Sequence, residues 1–363
     1  MINQRTSRSR TRRKGRRSQS PRGGKRQLLY LGIVLILLGC KYLYEEKLSA
    51  EEPTINSIEQ VATPSSSATD SAPASEVPAT QTTPAEPAKN EVTPATAKSN
   101  YKTLREGWAE LPAEVERVDF YTTYHMCDDG RRNYTVCFSS EHRCPVWVAS
   151  PMHPSYKGEA PRSDGFIFDP TLPMDIQPLL RRSYGEYTRG HLLGSAERTS
   201  SEQANRQTFY ASNIAPQLQV GFNASNGAWN NWERFADKQS CVDTLYVVTG
   251  CLFDDYADAS GLEVKATTTV NKNDGEKVGV PTAYYKVLLR TRSGKTGRSV
   301  RECKADELKC AAFVVGHYSA KGRKPTAADM MSVEELERLT GFTFFANVPN
   351  APKSKAVATD WGL

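Results

Sequence analysis

The sequence has only one long apolar run, and its first 26 residues contain no acidic side chain. The single run, from Leu28 to Cys40, excludes a membrane protein with several spans. No aromatic residue occurs between positions 50 and 100, so this stretch cannot bury enough apolar surface to fold. No Cys-x-x-Cys spacing occurs either, which argues against a zinc site.

The formal net charge of +6 comes from one end of the chain. Residues 1–26 carry eleven lysines and arginines, whereas residues 101–363 hold 32 basic and 32 acidic residues. The positive charge is therefore a property of the tail and does not indicate a basic nucleic-acid-binding surface on the folded part. Residues 101–363 also contain seven of the eight cysteines and are numerous enough to bury a core unaided.

These shifts in composition predict four segments. Residues 1–26 are expected to form a basic cytoplasmic tail, and residues 27–44 a signal anchor or transmembrane helix. Residues 45–100 follow as a disordered linker rich in Pro, Ala, Thr, Ser and Glu. Residues 101–363 are expected to form one globular domain.

A strongly basic flank before an apolar run predicts that the tail stays in the cytoplasm and that the remainder is exported. The globular domain is then membrane-anchored through a single pass, in the periplasm or at the exterior of a bacterium. A lipoprotein is the alternative, because Leu37–Cys40 resembles a lipobox that would place a lipid on Cys40. Both interpretations make the membrane a partner of the N-terminal segment.

The globular part shows the pattern of an α+β domain, in which strand runs are separated by long helical excursions. Helices are predicted over residues 200–208 and 228–236, and a third begins at the capping box of Ser332 and Glu335 and ends before Gly341. Four β-branched and aromatic runs predict strands, namely Cys144–Ala149, Thr244–Gly250, Ala283–Arg290 and Cys310–Gly316.

The cysteines of the domain are expected to be oxidised or buried. An exported domain meets an oxidising compartment, where disulfides form and persist. The local pairs Cys303/Cys310 and Cys241/Cys251 are plausible bridges. An odd number of cysteines leaves one over, and the pairing cannot be deduced from the sequence.

The densest chemistry lies in residues 187–234. His191 follows an Arg-Gly pair, and a neutral histidine can take a proton from water at neutral pH. Asn223, Asn226 and then Glu233 come about thirty residues later, and their oxygens suit a hard cation such as Mg²⁺. Taken singly, each is an ordinary turn or helix residue. Together, one base, one cation and nearby arginines are sufficient for phosphodiester hydrolysis.

The same run contains five motifs, namely Arg189-Gly190-His191, Asn213-Ile214-Ala215-Pro216-Gln217, Phe222-Asn223, Trp229 and Glu233. Together they resemble the DNA/RNA non-specific endonuclease family, whose active site is a ββα-metal, or His-Me finger, unit. Upstream, Arg162 is similar to the phosphate-contacting arginine of that family. The resemblance covers residues 101–363 and implies an α+β domain with a central antiparallel sheet flanked by helices.

The resemblance implies a different role for each residue of the site. His191 would be the general base, and Asn223 the sole direct ligand of Mg²⁺ or Mn²⁺, with Asn226 as the alternative ligand. Glu233 would hydrogen-bond the water molecules of the metal. No small-molecule cofactor is implied.

Three further residues receive supporting roles from the same resemblance. Asn213 would support the site, while Arg189 and Arg162 would face phosphate. The implied function is metal-dependent hydrolysis of DNA and RNA that leaves 5′-phosphate and 3′-hydroxyl ends. A homodimer is kept as a possible assembly.

Three departures from the family pattern keep a second function open. Thr188 stands where the family usually has Asp, and Asp237 stands where some members have an arginine against phosphate. The interval from Asn223 to Glu233 is longer than usual, which indicates either an insertion before the helix or Asn226 as the ligand. The alternative is a catalytically impaired domain of the same fold that binds nucleic acid or a protein.

Overall fold

The structure is a computed structural model that describes residues 107–363. The predicted tail, the apolar segment 27–44, Cys40 and the linker lie outside the described residues. Within residues 107–363, no helix is long and apolar enough to cross a membrane. Anchoring through the N-terminal segment therefore stays a prediction.

A seven-stranded antiparallel sheet forms the centre of the domain. In spatial order its strands are β1 (Phe120–Met126), β2 (Arg132–Ser139), β3 (Cys144–Met152), β6 (Leu245–Leu252), β11 (Ala283–Thr291), β12 (Leu308–Gly316) and β13 (Met330–Met331). Three antiparallel pairs accompany it: β4 (Tyr187–His191) with β5 (Ile214–Leu218), β7 (Tyr256–Ala257) with β8 (Glu263–Val264), and β9 (Thr267–Val270) with β10 (Lys277–Val280).

The helices are few and short. In the described part of the chain they are α1 (Glu202–Gln207), α2 (Ala228–Lys238), α3 (Val333–Thr340) and α4 (Ala358–Trp361). The predicted α+β pattern is confirmed: the four predicted strands recur as β3, β6, β11 and β12, and the three predicted helices as α1, α2 and α3. The capping box is present, with the Ser332 hydroxyl accepting from the Glu335 amide at 3.2 Å.

The central strands are buried on both faces. Along β11, Tyr284 and Leu288 belong to the apolar cluster on one face, whereas Tyr285 and Val287 belong to the cluster on the other. This alternation follows from the strand geometry, in which successive side chains point to opposite faces. Because both faces are covered, the strand reads as an almost continuous apolar run.

Helix α2 and the β4–β5 hairpin cover the same face of the sheet. Trp229 and Trp232 of α2 are fully buried there, together with Ala215 of the hairpin. Replacing a buried tryptophan by alanine typically costs about 3–5 kcal/mol, so these side chains fix the helix firmly on the sheet. Helix α3 covers the opposite face through Val333 and Leu336. The hairpin and α2 thus form a ββα unit on one side of the domain.

The expected disulfides are wrong, because none of the seven cysteines within residues 107–363 lies in a disulfide. Neither Cys303/Cys310 nor Cys241/Cys251 is joined. Cys251 packs beside Cys144 in the apolar cluster on the α2 face, whereas Cys241 lies in the loop before β6. Strand register assigns each side chain to a face, which sequence proximity does not reveal.

His317 ties the hairpin to the central sheet. Its Nε2 accepts from the Leu218 amide at 2.8 Å, so Nδ1 carries the proton and donates to the Pro281 carbonyl at 2.7 Å. The ring also lies 4.7 Å from that of Phe222. Burial lowers the pKa of His317 to about 4. The neutral ring is therefore part of the fold that holds the ββα unit in place.

Acid should destabilise the domain through His317. The unfolded ring takes up a proton near its ordinary pKa of 6.5, whereas the folded ring does so only at about 4. The stabilisation is complete above pH 6.5 and is lost as the pH falls toward 4, at up to about 1.4 kcal/mol per pH unit. Urea unfolding of the full chain at several pH values should show a smaller acid dependence for His317→Gln, and equal dependence would contradict the assignment.

Candidate active site

A cavity of about 370 Å³ opens between the β4–β5 hairpin, the turn that follows β5 and helix α2. It brings together four predicted site residues, Arg162, His191, Asn223 and Glu233. The predicted residues Arg189, Asn213 and Asn226 do not line it. The other lining residues are Lys157, Gly194, Ser195, Ala196, Glu197, Asn230, Arg234 and Asp237.

Size alone does not single out this cavity, since one of about 400 Å³ lies beside Trp108 and Tyr246. The arginines of that second cavity are already neutralised. Arg132 is paired with Glu110 at 2.6 Å, and Arg131 is paired with an acidic neighbour on the same turn. The chemistry of its lining therefore distinguishes the first cavity.

The hairpin places His191 at the cavity. His191 ends β4 and pairs with Ile214 at the start of β5. The imidazole lies edge-on to the Phe209 ring at 4.8 Å and 5.7 Å from the Phe166 ring. These aromatic contacts fix the ring and keep bulk water away from it.

His191 is neutral over the physiological range. It is 9% exposed, and its Nε2 has no hydrogen-bond partner among the described residues. Burial lowers the pKa of His191 to about 3, and the positive charges of Arg162 and Arg189 act in the same direction. A neutral imidazole with an unpartnered nitrogen is able to accept a proton.

Asn223 presents an oxygen to the same cavity. Its amide nitrogen donates to Oε1 of Gln217, so the side-chain carbonyl oxygen is left for another partner. Asn223 ends a wide turn, Gln219–Asn223, in which Gly221 has a φ of 77°. A Cβ at Gly221 would lie 2.1 Å from the Ser319 hydroxyl, so both the backbone and the packing require glycine there.

Asn226 is directed elsewhere. It has a left-handed backbone with a φ of 63°, and its side-chain oxygen accepts from Asn231 at 3.4 Å. Asn231 is in turn held by the Arg323 carbonyl at 2.7 Å. The geometry therefore favours Asn223 over Asn226 as the metal ligand, which remains a prediction until metal binding is measured.

Two carboxylates line the cavity. Glu233 projects from α2 and is half-buried, while Glu197 belongs to the short turn Ser195–Glu197 and is 7% exposed. Burial raises the pKa of Glu233 to about 7; the charge of Glu197 acts in the same direction, and Lys286 opposes both. Glu197 received no role in the sequence analysis, although its position six residues after His191 was a usable signal.

Lys286 is the second charged residue that sequence reasoning missed. It is 2% exposed within β11, on the face covered by α2. Its ammonium donates to the Thr249 hydroxyl at 3.0 Å and lies 4.9 Å from the centre of the Trp229 ring. Because Lys286 is buried between β11 and α2, its positive charge favours the ionised form of Glu233.

The two predicted phosphate-facing arginines differ in their surroundings. Arg162 is exposed at the cavity, where it donates to the Ser195 hydroxyl and lies 4.9 Å from the Phe209 ring centre. Arg189 lies 4.0 Å from the ring centre of Phe166 and donates to the Leu180 carbonyl at 2.9 Å. Arg162 therefore faces the cavity, whereas Arg189 holds a neighbouring loop.

Asn213 supports the loop that follows His191. Its side-chain oxygen accepts from the Leu193 amide at 2.9 Å, and its nitrogen donates to the carbonyls of Leu193 and Thr208 at 2.9 and 2.7 Å. The side chain is fully buried. These bonds satisfy buried backbone groups, so Asn213 acts as a positioning residue rather than by contact with substrate.

Gly190→Ala should disturb the site through Gln217. A Cβ at Gly190 would lie 2.1 Å from the side-chain amide carbon of Gln217, which holds Asn223. We expect the displaced amide to release Asn223 and to lower cleavage by about 10-fold or more. Gly165→Ala is the matched control, because a Cβ there would meet nothing within 4 Å. Equal cleavage rates for the two variants would contradict this role.

The donor set fits a hard divalent cation. An amide oxygen from Asn223 and carboxylates from Glu197 and Glu233 face one cavity, and oxygen donors are those that Mg²⁺ and Mn²⁺ prefer. No group of three or more His, Cys, Asp and Glu residues within 107–363 is arranged to hold a metal directly. The residues therefore fit an ion that keeps several water molecules, as Mg²⁺ usually does.

Comparison with known proteins identifies relatives of this chain. The bovine (Bos taurus) protein "Endonuclease G, mitochondrial" is 26% identical over 222 residues, 60% of this chain and 69% of that protein. The zebrafish (Danio rerio) protein "Nuclease EXOG, mitochondrial" is 29% identical over 240 residues, 65% of this chain and 62% of that protein. A "Nuclease" of Nostoc sp. is 28% identical over 229 residues, 62% of this chain and 75% of that protein.

A sequence profile gives the family as well. The profile described as "DNA/RNA non-specific endonuclease" matches residues 115–351, which include both strands of the hairpin, helix α2 and every residue that lines the cavity. The match spans well over half of the chain. This chain therefore belongs to the DNA/RNA non-specific endonuclease family, whose Endonuclease G-like members are in general metal-dependent.

Proposed function

We propose that this chain is a divalent-metal-dependent endonuclease that hydrolyses phosphodiester bonds of DNA and RNA at the cavity beside α2. One observation carries the proposal: neutral His191 and the free side-chain oxygen of Asn223 line the same cavity. Arg162 adds positive charge at the rim, where a phosphate would enter.

His191 accepts the proton of the attacking water. The water oxygen forms a bond to phosphorus while the bond from phosphorus to the 3′ oxygen breaks, and the departing oxygen takes a proton from solvent. The products are a 5′-phosphate and a 3′-hydroxyl. A phosphate beside Arg162 offsets the positive charge that depresses the pKa of His191, so substrate binding makes the base stronger.

Asn223 and Glu233 would hold Mg²⁺, or Mn²⁺ in its place. When bound, the ion neutralises charge on the phosphate and on the leaving oxygen. Asn223 contributes its carbonyl oxygen, whose direction is set by the bond from its nitrogen to Gln217. Glu233 orients water from the wall formed by α2.

The alternative is a catalytically impaired domain of the same fold that binds nucleic acid or a protein, and Thr188 and Asp237 are the residues that suggest it. Thr188 pairs with Gln217 in the hairpin and does not line the cavity. Its replacement of an acidic residue therefore removes no group that faces the cavity. Asp237 does line it, but is paired with Lys157 at 3.0 Å.

The proposal includes anchoring and export, supported by the basic tail and the apolar segment 27–44. In bacterial cells, protease added outside the inner membrane should remove the globular domain and spare the tail. A lipoprotein would lose residues 1–39 and carry a lipid on Cys40, whereas a signal anchor keeps its tail, so the intact mass of the membrane-bound protein distinguishes the two. Light scattering of the purified full-length chain would distinguish a monomer from a homodimer.

A cleavage assay on the full-length chain tests the activity. Plasmid DNA and RNA should be cut at internal positions with Mg²⁺ or Mn²⁺, and EDTA should stop the reaction. End-labelling should find 5′-phosphate and 3′-hydroxyl termini. Cleavage that persists in EDTA would contradict the metal requirement, and folded protein without cleavage would favour the binding domain.

A further inference from the structure

Glu197 presents a carboxylate without a partner to the cavity. The residue is 7% exposed, yet no hydrogen bond or ion pair reaches its side chain from the described residues. Only its backbone is engaged, since its carbonyl accepts from Arg198 at 2.9 Å and its amide donates to the Gly194 carbonyl at 3.0 Å. Neither carboxylate oxygen of Glu197 is among the fully buried unpartnered atoms within residues 107–363, so the group is open to the cavity and available to a ligand there.

Glu197 and Glu233 face one small space beside Gly194. A Cβ on Gly194 would lie 3.8 Å from Oε1 of Glu197 and 3.8 Å from Oε1 of Glu233. The two oxygens are therefore separated by no more than twice that distance. His191 and Asn223 line the same space, and Nε2 of His191 is buried there without a partner.

The upper limit of twice 3.8 Å leaves room for a hydrated ion between the two carboxylates. Metal–water distances of about 2.1 Å and water–carboxylate distances of about 2.6 Å put two carboxylate oxygens roughly 6–9 Å apart when each binds a water of one octahedral ion. Two direct carboxylate ligands would instead be about 3–4 Å apart. Within residues 107–363, no group of three or more His, Cys, Asp and Glu residues is placed to bind an ion directly, which agrees with binding through water molecules.

We propose that Glu197 is a positioning residue for the divalent cation, acting with Glu233 as a pair of acceptors for the water molecules of the ion that Asn223 binds. This inference rests on the proposed metal dependence. Two like charges facing one space repel each other in the metal-free protein, and a divalent cation between them removes the repulsion. The second carboxylate therefore strengthens metal binding at a site with one direct protein ligand.

Metal binding without nucleic acid provides the test. The full-length chain is titrated with Mn²⁺, and binding is monitored by electron paramagnetic resonance. The dissociation constant for Mn²⁺ should be about 10–100-fold higher for Glu197→Gln than for the wild type. Glu197→Asp keeps the charge and should recover part of the affinity. Glu202→Gln is the matched control, because Glu202 is exposed on α1 outside the cavity and should leave Mn²⁺ affinity unchanged.

Thermal unfolding separates this role from a purely structural one. Without metal, Glu197→Gln should melt at the same temperature as the wild type or higher, because a buried repulsion is removed. The rise in melting temperature on adding Mg²⁺ should be smaller than in the wild type. A lower metal-free melting temperature with wild-type Mn²⁺ affinity would overturn the inference.

Measurements on the wild type distinguish a failure of the inference on Glu197 from a failure of the proposed nuclease function. If the wild type binds Mn²⁺ and cleaves DNA, but Glu197→Gln and Glu197→Asp bind Mn²⁺ with wild-type affinity, the inference on Glu197 is wrong and the nuclease proposal stands. If the wild type binds no Mn²⁺ and its cleavage survives EDTA, the metal dependence fails and the inference fails with it.

Discussion

His191→Ala is expected to lower the rate of DNA and RNA cleavage by about 10²–10⁴-fold, the range typical for loss of a general base. The imidazole is the group at the cavity that is neutral at physiological pH and has an unpartnered nitrogen. The measurement is the initial rate of plasmid cleavage by the full-length chain under saturating Mg²⁺. Melting temperatures of both proteins should be compared in parallel, since the ring also packs against Phe209.

His153→Ala is the control for this variant. His153 caps a surface turn through its Nδ1, which accepts from the Ser155 amide at 3.0 Å, and it does not line the cavity beside α2. Its replacement should leave cleavage within about twofold of the wild type. A folded His191→Ala protein that cleaves at the wild-type rate would rule out His191 as the base.

Asn223→Ala should lower cleavage by about 10²–10³-fold and weaken Mn²⁺ binding, because it removes the side-chain oxygen that faces the cavity. Glu197 and Glu233 would remain, so some metal binding through water molecules should persist. Raising the Mg²⁺ concentration should restore part of the rate. Both quantities can be measured on the same preparation of full-length chain.

Asn226→Gly is the variant with which Asn223→Ala should be compared. Asn226 has a left-handed backbone, with a φ of 63°, that glycine adopts without strain, so this variant removes the side chain and keeps the turn. We expect near-wild-type cleavage and Mn²⁺ affinity. If Asn226→Gly abolishes cleavage while Asn223→Ala does not, the assignment of the ligand is wrong.

The placement of individual charges, rather than their sum, matters for how a neutral domain can bind an anionic polymer. Residues 101–363 carry equal numbers of basic and acidic side chains. The cavity lining also holds three of each, with Lys157, Arg162 and Arg234 beside three acidic residues, and Lys286 lies buried beneath α2. The net charge correctly excludes a broadly basic surface, but it says nothing about where individual charges meet.

Short-range patterns in the sequence determined several of the elements of this fold. The β-branched and aromatic runs of β11 and β12 identify strands because any such run fits a doubly buried sheet position. Ser332 and Glu335 define the start of α3 because a capping box is closed within four residues. The motif around His191 likewise indicated the family, since its residues are close together in the sequence.

Only the tertiary structure decided which oxygens meet at the site. Asn223 and Asn226 are three residues apart, and a turn with Gly221 in a left-handed conformation directs the first into the cavity and leaves the second outside. Glu197 and Lys286 come from segments almost ninety residues apart, and packing of the hairpin and α2 on the sheet brings both near Glu233. The sequence by itself determined four of the strands, three of the helices and the kind of chemistry, because those depend on neighbours along the chain. Which asparagine faces the cavity, which carboxylates face it together and the absence of disulfides among the described cysteines were decided by packing, because they depend on distances between residues that are far apart in sequence.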